Sequence, residues 1–211
     1  MKKTLYITRH GETDYNKAGL VQGQGIDIDL NELGMAQGRA FCDKYKSTPF
    51  KKVYTSNLIR TWQTVDGIIK TGLPWEKLAD LNEMNYGVYE GKPIEVTPGD
   101  KLFDVKNNWF DGNYEAKVEK GESPMDVVHR EKRAINVILA DKDESPVLVC
   151  MHGRALRIML SWMLKTEIRD MENYKTPNTC VYIMEYDYDT KEFTCKEAAN
   201  VDHLKVAAGD F

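Results

Sequence analysis

The sequence predicts an α/β fold, a three-layer α/β/α sandwich with a mostly parallel central sheet and an insertion over the predicted active site. Short apolar runs alternate with amphipathic helical patterns along the chain. Two of these runs lead directly into His-Gly, at His10 and at His152. Because open α/β sheets bind ligands outside the carboxyl ends of their strands, we expect both histidines in one site.

Five apolar runs predict the strands, at 3–9, 51–55, 146–151, 180–186 and 192–198. The last two are expected to form a hairpin whose turn is Tyr188-Asp189-Thr190-Lys191. The earlier runs are separated by helical patterns, and right-handed crossovers then place helices on both faces of the sheet.

Four helices are predicted between the strands. Asn31 is suited to cap a helix that runs to about residue 46, with these side chains turned inward: Leu33, Ala36, Ala40, Phe41 and Tyr45. A second helix is expected over 57–71, with one apolar stripe: Leu58, Trp62, Val65 and Ile69. Ser123-Pro124 begins a third helix, and His152-Gly153 begins a fourth.

Composition bounds the type of protein. The chain has 211 residues, of which 42% are hydrophobic and 29% charged, as in ordinary globular proteins. We expect a single domain over 1–211, with the insertion at about 84–122, where periodicity is weak. The net charge of −4 argues against nucleic acid or an anionic membrane as partner. Without a signal-peptide pattern, a cytoplasmic location is expected, and the oligomeric state is left open.

Polar groups at the strand ends predict the chemistry of the site. Arg9 and His10 follow the first strand, Arg60 the second, and His152 a central one, while Glu83 lies in a loop. Arginine matches phosphate oxygens in a bidentate way, so this set fits a phosphoryl group. The start of the helix after His152 offers backbone N–H groups to the same anion.

A phosphoryl group held there is open to in-line attack by an imidazole nitrogen, giving a phosphohistidine. His10 between arginines is expected to stay neutral, as the attack requires, and His152 to donate to the transferring oxygens. Glu83 is the predicted proton donor to the leaving alkoxide, with Glu12 as the alternative. The remaining histidines, His129 and His203, have no motif around them and are expected at the surface.

Several segments together resemble one family: RHGETDYN at 9–16, SNLIRT at 56–61, LNEMNYGVYEG at 81–91, GES at 121–123 and His152-Gly153. The chain resembles the histidine phosphatase superfamily, which includes cofactor-dependent phosphoglycerate mutases. The resemblance implies the following roles: phosphoryl carrier His10; phosphate binding by Arg9, Arg60 and His152; acid Glu83; pocket lining by Asn16 and Gln22. No metal or cofactor is expected.

The chain departs from the mutase branch at positions that matter for substrate. Mutases usually carry Arg directly after the glutamate and a later Arg-Arg pair that grips the substrate's carboxylate, whereas this chain has Met84 and no Arg-Arg. Tyr86 retains a mutase-like setting and, with Gly153, is expected to contact substrate. We therefore favour a phosphatase for a small phosphorylated metabolite, with a mutase as the alternative. Arg154 is unusual, and we hypothesise that it binds an acidic group on the substrate.

Two other classes of protein could carry the same residues. A metal-dependent hydrolase could use His10, Glu12, Glu83 and His152 as zinc ligands, but no HExxH-type spacing is present and flanking arginines repel a cation. A non-catalytic protein that binds a phosphorylated ligand would keep the same pocket without turnover. Insensitivity of the activity to chelators, with inhibition by vanadate, would exclude the metal enzyme, and phosphate release by the native chain would exclude the binding protein.

Overall fold

The computed structural model describes residues 1–95 and 97–207. Residue 96, within the predicted insertion, and residues 208–211, at the end of the predicted domain, lie outside the described residues. The described strands form a six-stranded sheet in the order β3-β2-β4-β1-β5-β6. Their bounds are β1 Lys2–Arg9, β2 Lys52–Thr55, β3 Trp75–Lys77, β4 Val147–Met151, β5 Val181–Asp187 and β6 Glu192–Asn200.

The helices follow the alternation that the sequence predicts. Their bounds are α1 Asp14–Lys17, α2 Glu32–Tyr45, α3 Ile59–Thr64, α4 Asp66–Ile69, α5 Lys101–Phe110, α6 Pro124–Leu139, α7 Gly153–Met163 and α8 Asp202–Ala207. Short 3₁₀ helices cover Ala79–Leu81, Gly87–Tyr89 and Ile168–Asn173. In the described part of the chain, no helix has both the length and the apolar character needed to cross a bilayer.

The sheet is mostly parallel, as predicted. β3, β2, β4 and β1 pair in parallel, and the β5–β6 hairpin is added antiparallel to β1. Every residue of β4 is buried, as expected for a central strand covered on both faces. α6 and α7 pack together over one face, while α2 packs with α3, α4 and α8 over the other. The three-layer sandwich is therefore confirmed.

Strand register brings the predicted site together. β1 and β2 both pair with β4, with Arg9 opposite Met151 and Thr55 opposite Cys150. The chain segments that leave these three parallel strands therefore do so along one edge of the sheet. The backbone N–H of His10 reinforces the alignment by donating to the Met151 carbonyl oxygen at 3.0 Å.

The predicted helix over 57–71 is wrong as a single element. α3 ends at Thr64, and Val65 leaves helical geometry at φ −111° and ψ 14°. The Thr64 hydroxyl donates to the Arg60 carbonyl oxygen at 2.7 Å and accepts the Gly11 N–H at 2.9 Å. Such back-bonding by a threonine bends helices, and here it also anchors the loop that follows β1.

Other expectations fail where long-range packing decides. Leu33 is exposed, because Gly34 takes the position against the backbone of Glu12, where a Cβ would lie 2.0 Å from a carbonyl oxygen. His203 is buried, because α8 packs it against Phe41 in α2. The three-residue strand β3 was not predicted, since so short a segment carries no periodic signal. His129 is exposed as predicted, and the segment 84–122 contains the helix α5.

Candidate active site

His10 is held by hydrogen bonds to the backbone of the next residue, Gly11, and to the loop before β5. Its carbonyl oxygen accepts the side-chain amide of Asn178 at 3.0 Å, and the Thr179 N–H donates to the Arg9 carbonyl oxygen at 3.1 Å. The ring Nδ1–H donates to the Gly11 carbonyl oxygen at 2.7 Å. A carbonyl oxygen can only accept, so this contact places the proton on Nδ1 and the free lone pair on Nε2.

The charge state of His10 follows from its surroundings. The ring is buried, and burial lowers its pKa well below the ordinary value of 6.5. The guanidinium groups of Arg60 and Arg9 lower the pKa further, because they repel a second positive charge. His10 is therefore neutral at pH 7, as the sequence led us to expect.

His152 lies beside His10, with 5.2 Å between the ring centroids. Its Nε2 is 2.8 Å from the Ser56 hydroxyl oxygen. That hydroxyl accepts the Leu58 N–H at 3.1 Å and lies 3.1 Å from the Thr61 hydroxyl oxygen. Burial keeps the pKa of His152 well below 6.5, so this ring is also neutral at pH 7.

Arg60 is fully buried at the start of α3. Its Nη1 donates to the Ile26 carbonyl oxygen at 2.6 Å, and its Nη2 to the Gly23 carbonyl oxygen at 3.4 Å. Burial lowers its pKa to about 10, a shift that the charges of Glu83 and Asp27 oppose. Arg60 therefore remains a cation at neutral pH.

Arg9 is fixed from the opposite side. Its Nη1 donates to the Thr176 carbonyl oxygen at 2.7 Å. Gly153, which lines the pocket, lets the backbone pass close to this guanidinium, since a Cβ there would lie 3.3 Å from Arg9 Nε. The glycine of the second His-Gly therefore has a packing role beside the guanidinium.

Four buried nitrogens of this site have no hydrogen-bond partner among the described residues. They are Arg9 Nε, Gln22 Nε2, Arg60 Nε and His152 Nδ1. Arg9 and Gln22 line the pocket, whereas Arg60 and His152 are fully buried beside His10. Buried nitrogens are almost always paired in native proteins, so the unpaired nitrogens of Arg9 and Gln22 indicate a ligand rich in acceptors.

Gln22 is oriented by its neighbours. Its Oε1 accepts the Thr13 hydroxyl at 2.8 Å and the Asn16 side-chain amide at 3.3 Å. The Asn16 side-chain oxygen Oδ1 in turn accepts the side-chain amide of Asn178 at 3.2 Å. With its oxygen committed, Gln22 keeps its amide nitrogen for the pocket, which both Gln22 and Asn16 line.

Glu83 is buried at the start of α7. Its Oε1 accepts the N–H groups of Met84 at 2.8 Å and Ala155 at 2.9 Å, and its Oε2 accepts the Arg154 N–H at 3.0 Å. The helix start that we expected to face a phosphoryl group thus gives two of its N–H groups to Glu83. Among the described residues that line the pocket, Glu83 is the one with a carboxyl group.

Glu12 lies elsewhere. Its Oε1 accepts the side-chain amide of Asn31, the N-cap of α2, at 2.9 Å. It lines a separate surface depression together with Glu32 and Lys17. The structure therefore brings Glu83, and not Glu12, into the pocket of His10.

We call Arg9, His10, Arg60 and His152 the inner group, and Tyr86, Lys106, Arg154 and Arg157 the outer group. All four outer side chains line the pocket and are partly buried. Arg157 and Lys106 were not predicted. Arg157 follows Arg154 by three positions on α7, so its place on the same helix face was readable from the sequence. Lys106 reaches the pocket from α5, for which the sequence gave no signal.

Within the described residues, no group of three or more His, Cys, Asp or Glu side chains is placed to hold a metal ion. The polar groups around His10 are instead guanidinium, imidazole and amide donors. Such a donor set suits an anion, since it repels a cation and offers it few ligands.

Comparison with known proteins gives a consistent result. The sequence model of the histidine phosphatase superfamily (branch 1) matches residues 5–198. The protein of Proteus mirabilis named probable phosphoglycerate mutase GpmB is 28% identical over 98% of this chain and 97% of its own length. A protein of Yersinia pestis with the same name matches equally well.

Solved structures share the fold. Phosphoserine phosphatase of Entamoeba histolytica in complex with 3-phosphoglyceric acid superposes with a TM-score of 0.83 at 20% identity, covering 96% of this chain and 99% of that one. Mycobacterial glucosyl-3-phosphoglycerate phosphatase gives 0.80 at 23% identity, covering 95% and 100%. Since the family model matches nearly the whole chain, the protein belongs to the histidine phosphatase superfamily (branch 1).

Proposed function

We propose that this protein is a metal-independent phosphomonoesterase that acts on a small phosphorylated metabolite through a phosphohistidine at His10. The observation that carries the proposal is the state of that ring. Its Nδ1–H is committed to the Gly11 carbonyl oxygen, its pKa is lowered well below 6.5, and it lies among the donors of the inner group. A neutral imidazole in that position is a nucleophile at neutral pH.

In the first step, the lone pair of His10 Nε2 attacks phosphorus while the bond to the ester oxygen breaks. The unpaired donors of Arg9, Gln22, Arg60 and His152 bind the phosphoryl oxygens and stabilise the charge that they carry in the transition state. The leaving alkoxide takes a proton from the carboxyl group of Glu83. The second step reverses these roles. The oxygen of a water molecule attacks phosphorus while the carboxylate of Glu83 takes a proton from that water, and the P–N electron pair returns to Nε2.

Two findings bear on the choice between phosphatase and mutase. Relatives of similar length carry the name of a probable phosphoglycerate mutase. Against that, Met84 stands where mutases usually carry an arginine, and the chain has no Arg-Arg pair. We favour the phosphatase and keep the mutase as the second candidate, tested by conversion of 3-phosphoglycerate to 2-phosphoglycerate with a bisphosphoglycerate primer.

The first experiment is phosphate release from a panel of phosphomonoesters, measured with a chelator present, for the native chain beside His10→Ala. We expect release by the native chain and a loss of at least about 10³-fold in the variant. His129→Ala is the matched control, because His129 is exposed. Equal release by the native and His10→Ala chains, or dependence on a metal ion, would refute the mechanism. No release by the native chain would favour the mutase or a non-catalytic binding protein.

A further inference from the structure

The outer group concentrates positive charge at the pocket. Arg154 Nη1 and Arg157 Nη1 each donate to Glu172, at 2.5 Å from its Oε1 and Oε2 respectively. One carboxylate thus serves two guanidinium groups, and Lys106 adds a third cation to the same lining. The outer group therefore has more positive charge than its neighbouring carboxylate can balance.

Lys106 is the cation of the outer group that has no carboxylate partner among the described residues. Within the described residues, no carboxylate oxygen lies within 4.0 Å of its ammonium, although the side chain is partly buried. Burial lowers its pKa, and repulsion by Arg154 adds to this, while Glu172 acts in the opposite direction. An ammonium removed from water without a counter-ion is costly, so an anion bound beside it would be stabilised.

The arginines are held in place by other side chains. Arg154 Nε donates to the Tyr86 hydroxyl oxygen at 3.3 Å, and Arg157 Nε donates to the Thr176 hydroxyl oxygen at 3.1 Å. Glu172 belongs to the 3₁₀ helix Ile168–Asn173, which packs against both α5 and α7. The charged surface is therefore preorganised, which reduces the entropy lost when a ligand binds.

The rest of the lining sets the size and orientation of a ligand. The wall contributed by Leu20, Val21, Ile94 and Leu102 is apolar, so it offers no charged partner to a ligand and the cations of the outer group do. The cavity volume is about 130 Å³. Pockets for drug-sized ligands are several times larger, so this one suits a ligand of few carbon atoms.

We propose that the outer group binds a carboxylate, and that the substrates are phosphomonoesters of small carboxylic acids. This inference rests on the proposed function, since the phosphoryl group of the same molecule must lie at the inner group. Lys106 and Arg157 bind the carboxylate directly, while Arg154 is oriented by Glu172 and Tyr86 and supplies charge. These cations come from α5 and α7, and not from the position after Glu83, which is methionine here.

The test compares 3-phosphoglycerate with glycerol 3-phosphate, which has a hydroxymethyl group in place of the carboxylate. We expect the native chain to favour 3-phosphoglycerate by at least about 10-fold in kcat/KM, as befits a charge-assisted bond. Lys106→Met should raise KM for 3-phosphoglycerate by roughly 10-fold and leave glycerol 3-phosphate within about two-fold. Arg157→Met should act in the same way, and Lys101→Met, exposed on the same helix, is the matched control.

Calorimetric binding of both esters to His10→Ala, which cannot turn them over, separates this inference from the proposed function. Failure of the native chain to release phosphate from any ester of the panel would refute the phosphatase, and a retained binding preference for 3-phosphoglycerate would still support the outer site. Equal kinetics and equal binding of the two esters would overturn the inference. Equal losses for both esters in Lys106→Met would also overturn it, because they would show a general structural role.

Discussion

At the inner group, Arg9 ends β1, and His10 and His152 follow directly on β1 and β4, whereas the outer group comes from α5, α7 and the turn at Tyr86. The inner side chains are fixed by strand register and by backbone carbonyl oxygens. The outer ones are fixed by side chains of other elements, above all Glu172. The difference teaches that the sheet sets the position of the proposed phosphoryl site, while contacts between helices set the position of the proposed carboxylate site.

After the loss of His10 itself, the largest effect is expected from breaking the inner group at Arg60. Arg60→Ala removes a buried cation beside His10 and its bonds to the carbonyl oxygens of Gly23 and Ile26. We expect kcat/KM to fall by roughly 10²- to 10³-fold, as when one donor to a developing charge is lost. Steady-state kinetics checks this, with Arg39→Ala, an exposed arginine, as control. A melting curve is needed beside it, since a fall that merely tracked unfolding would not support a role at the phosphoryl group.

A smaller effect, dependent on the substrate, is expected at Glu83, between the two groups. Glu83→Gln should lower kcat/KM, which reports the first step, by roughly 10²-fold for an alkyl ester, whose leaving alkoxide needs a proton. For p-nitrophenyl phosphate, whose leaving group is stable as an anion, the fall should be below about 10-fold. Glu12→Gln is the matched control, because that carboxylate bonds to Asn31 outside the pocket. Equal losses for both esters would argue against proton donation by Glu83.

The smallest effect concerns stability behind the inner group. His203 Nε2 bonds to the Thr179 hydroxyl, and burial lowers its pKa to about 4, helped by the charge of Lys44. The unfolded chain protonates this histidine below about 6.5, and the folded chain only near 4, so stability falls as pH drops through that window. Between pH 7 and pH 5 the native chain should lose about 1–2 kcal/mol more than His203→Gln.

Urea unfolding at the two pH values measures that difference, with His129→Gln as the exposed control. His10 and His152, whose pKa values are also depressed by burial, remain in every variant and contribute equally. The same pH dependence in the native chain and His203→Gln would show that His203 is not kept neutral by the fold.

The sequence predicts the inner group better than it predicts the outer group. Arg9, His10 and His152 could be placed because strand ends of a parallel sheet meet at one edge, which short apolar runs reveal. Lys106 could not, because its place in the pocket depends on the packing of α5 against the 3₁₀ helix Ile168–Asn173. The prediction that His203 is exposed was wrong for the same reason, since α8 meets α2 only in the folded chain.

The most direct test of the account is to trap the phosphorylated enzyme. The native chain, mixed with substrate and quenched in alkali within one turnover, is digested and its phosphopeptide mapped by mass spectrometry. We predict an acid-labile, alkali-stable phosphoryl group on His10, formed as fast as or faster than phosphate is released. Turnover with no phosphorylated His10, or with the phosphoryl group on another residue, would contradict the mechanism.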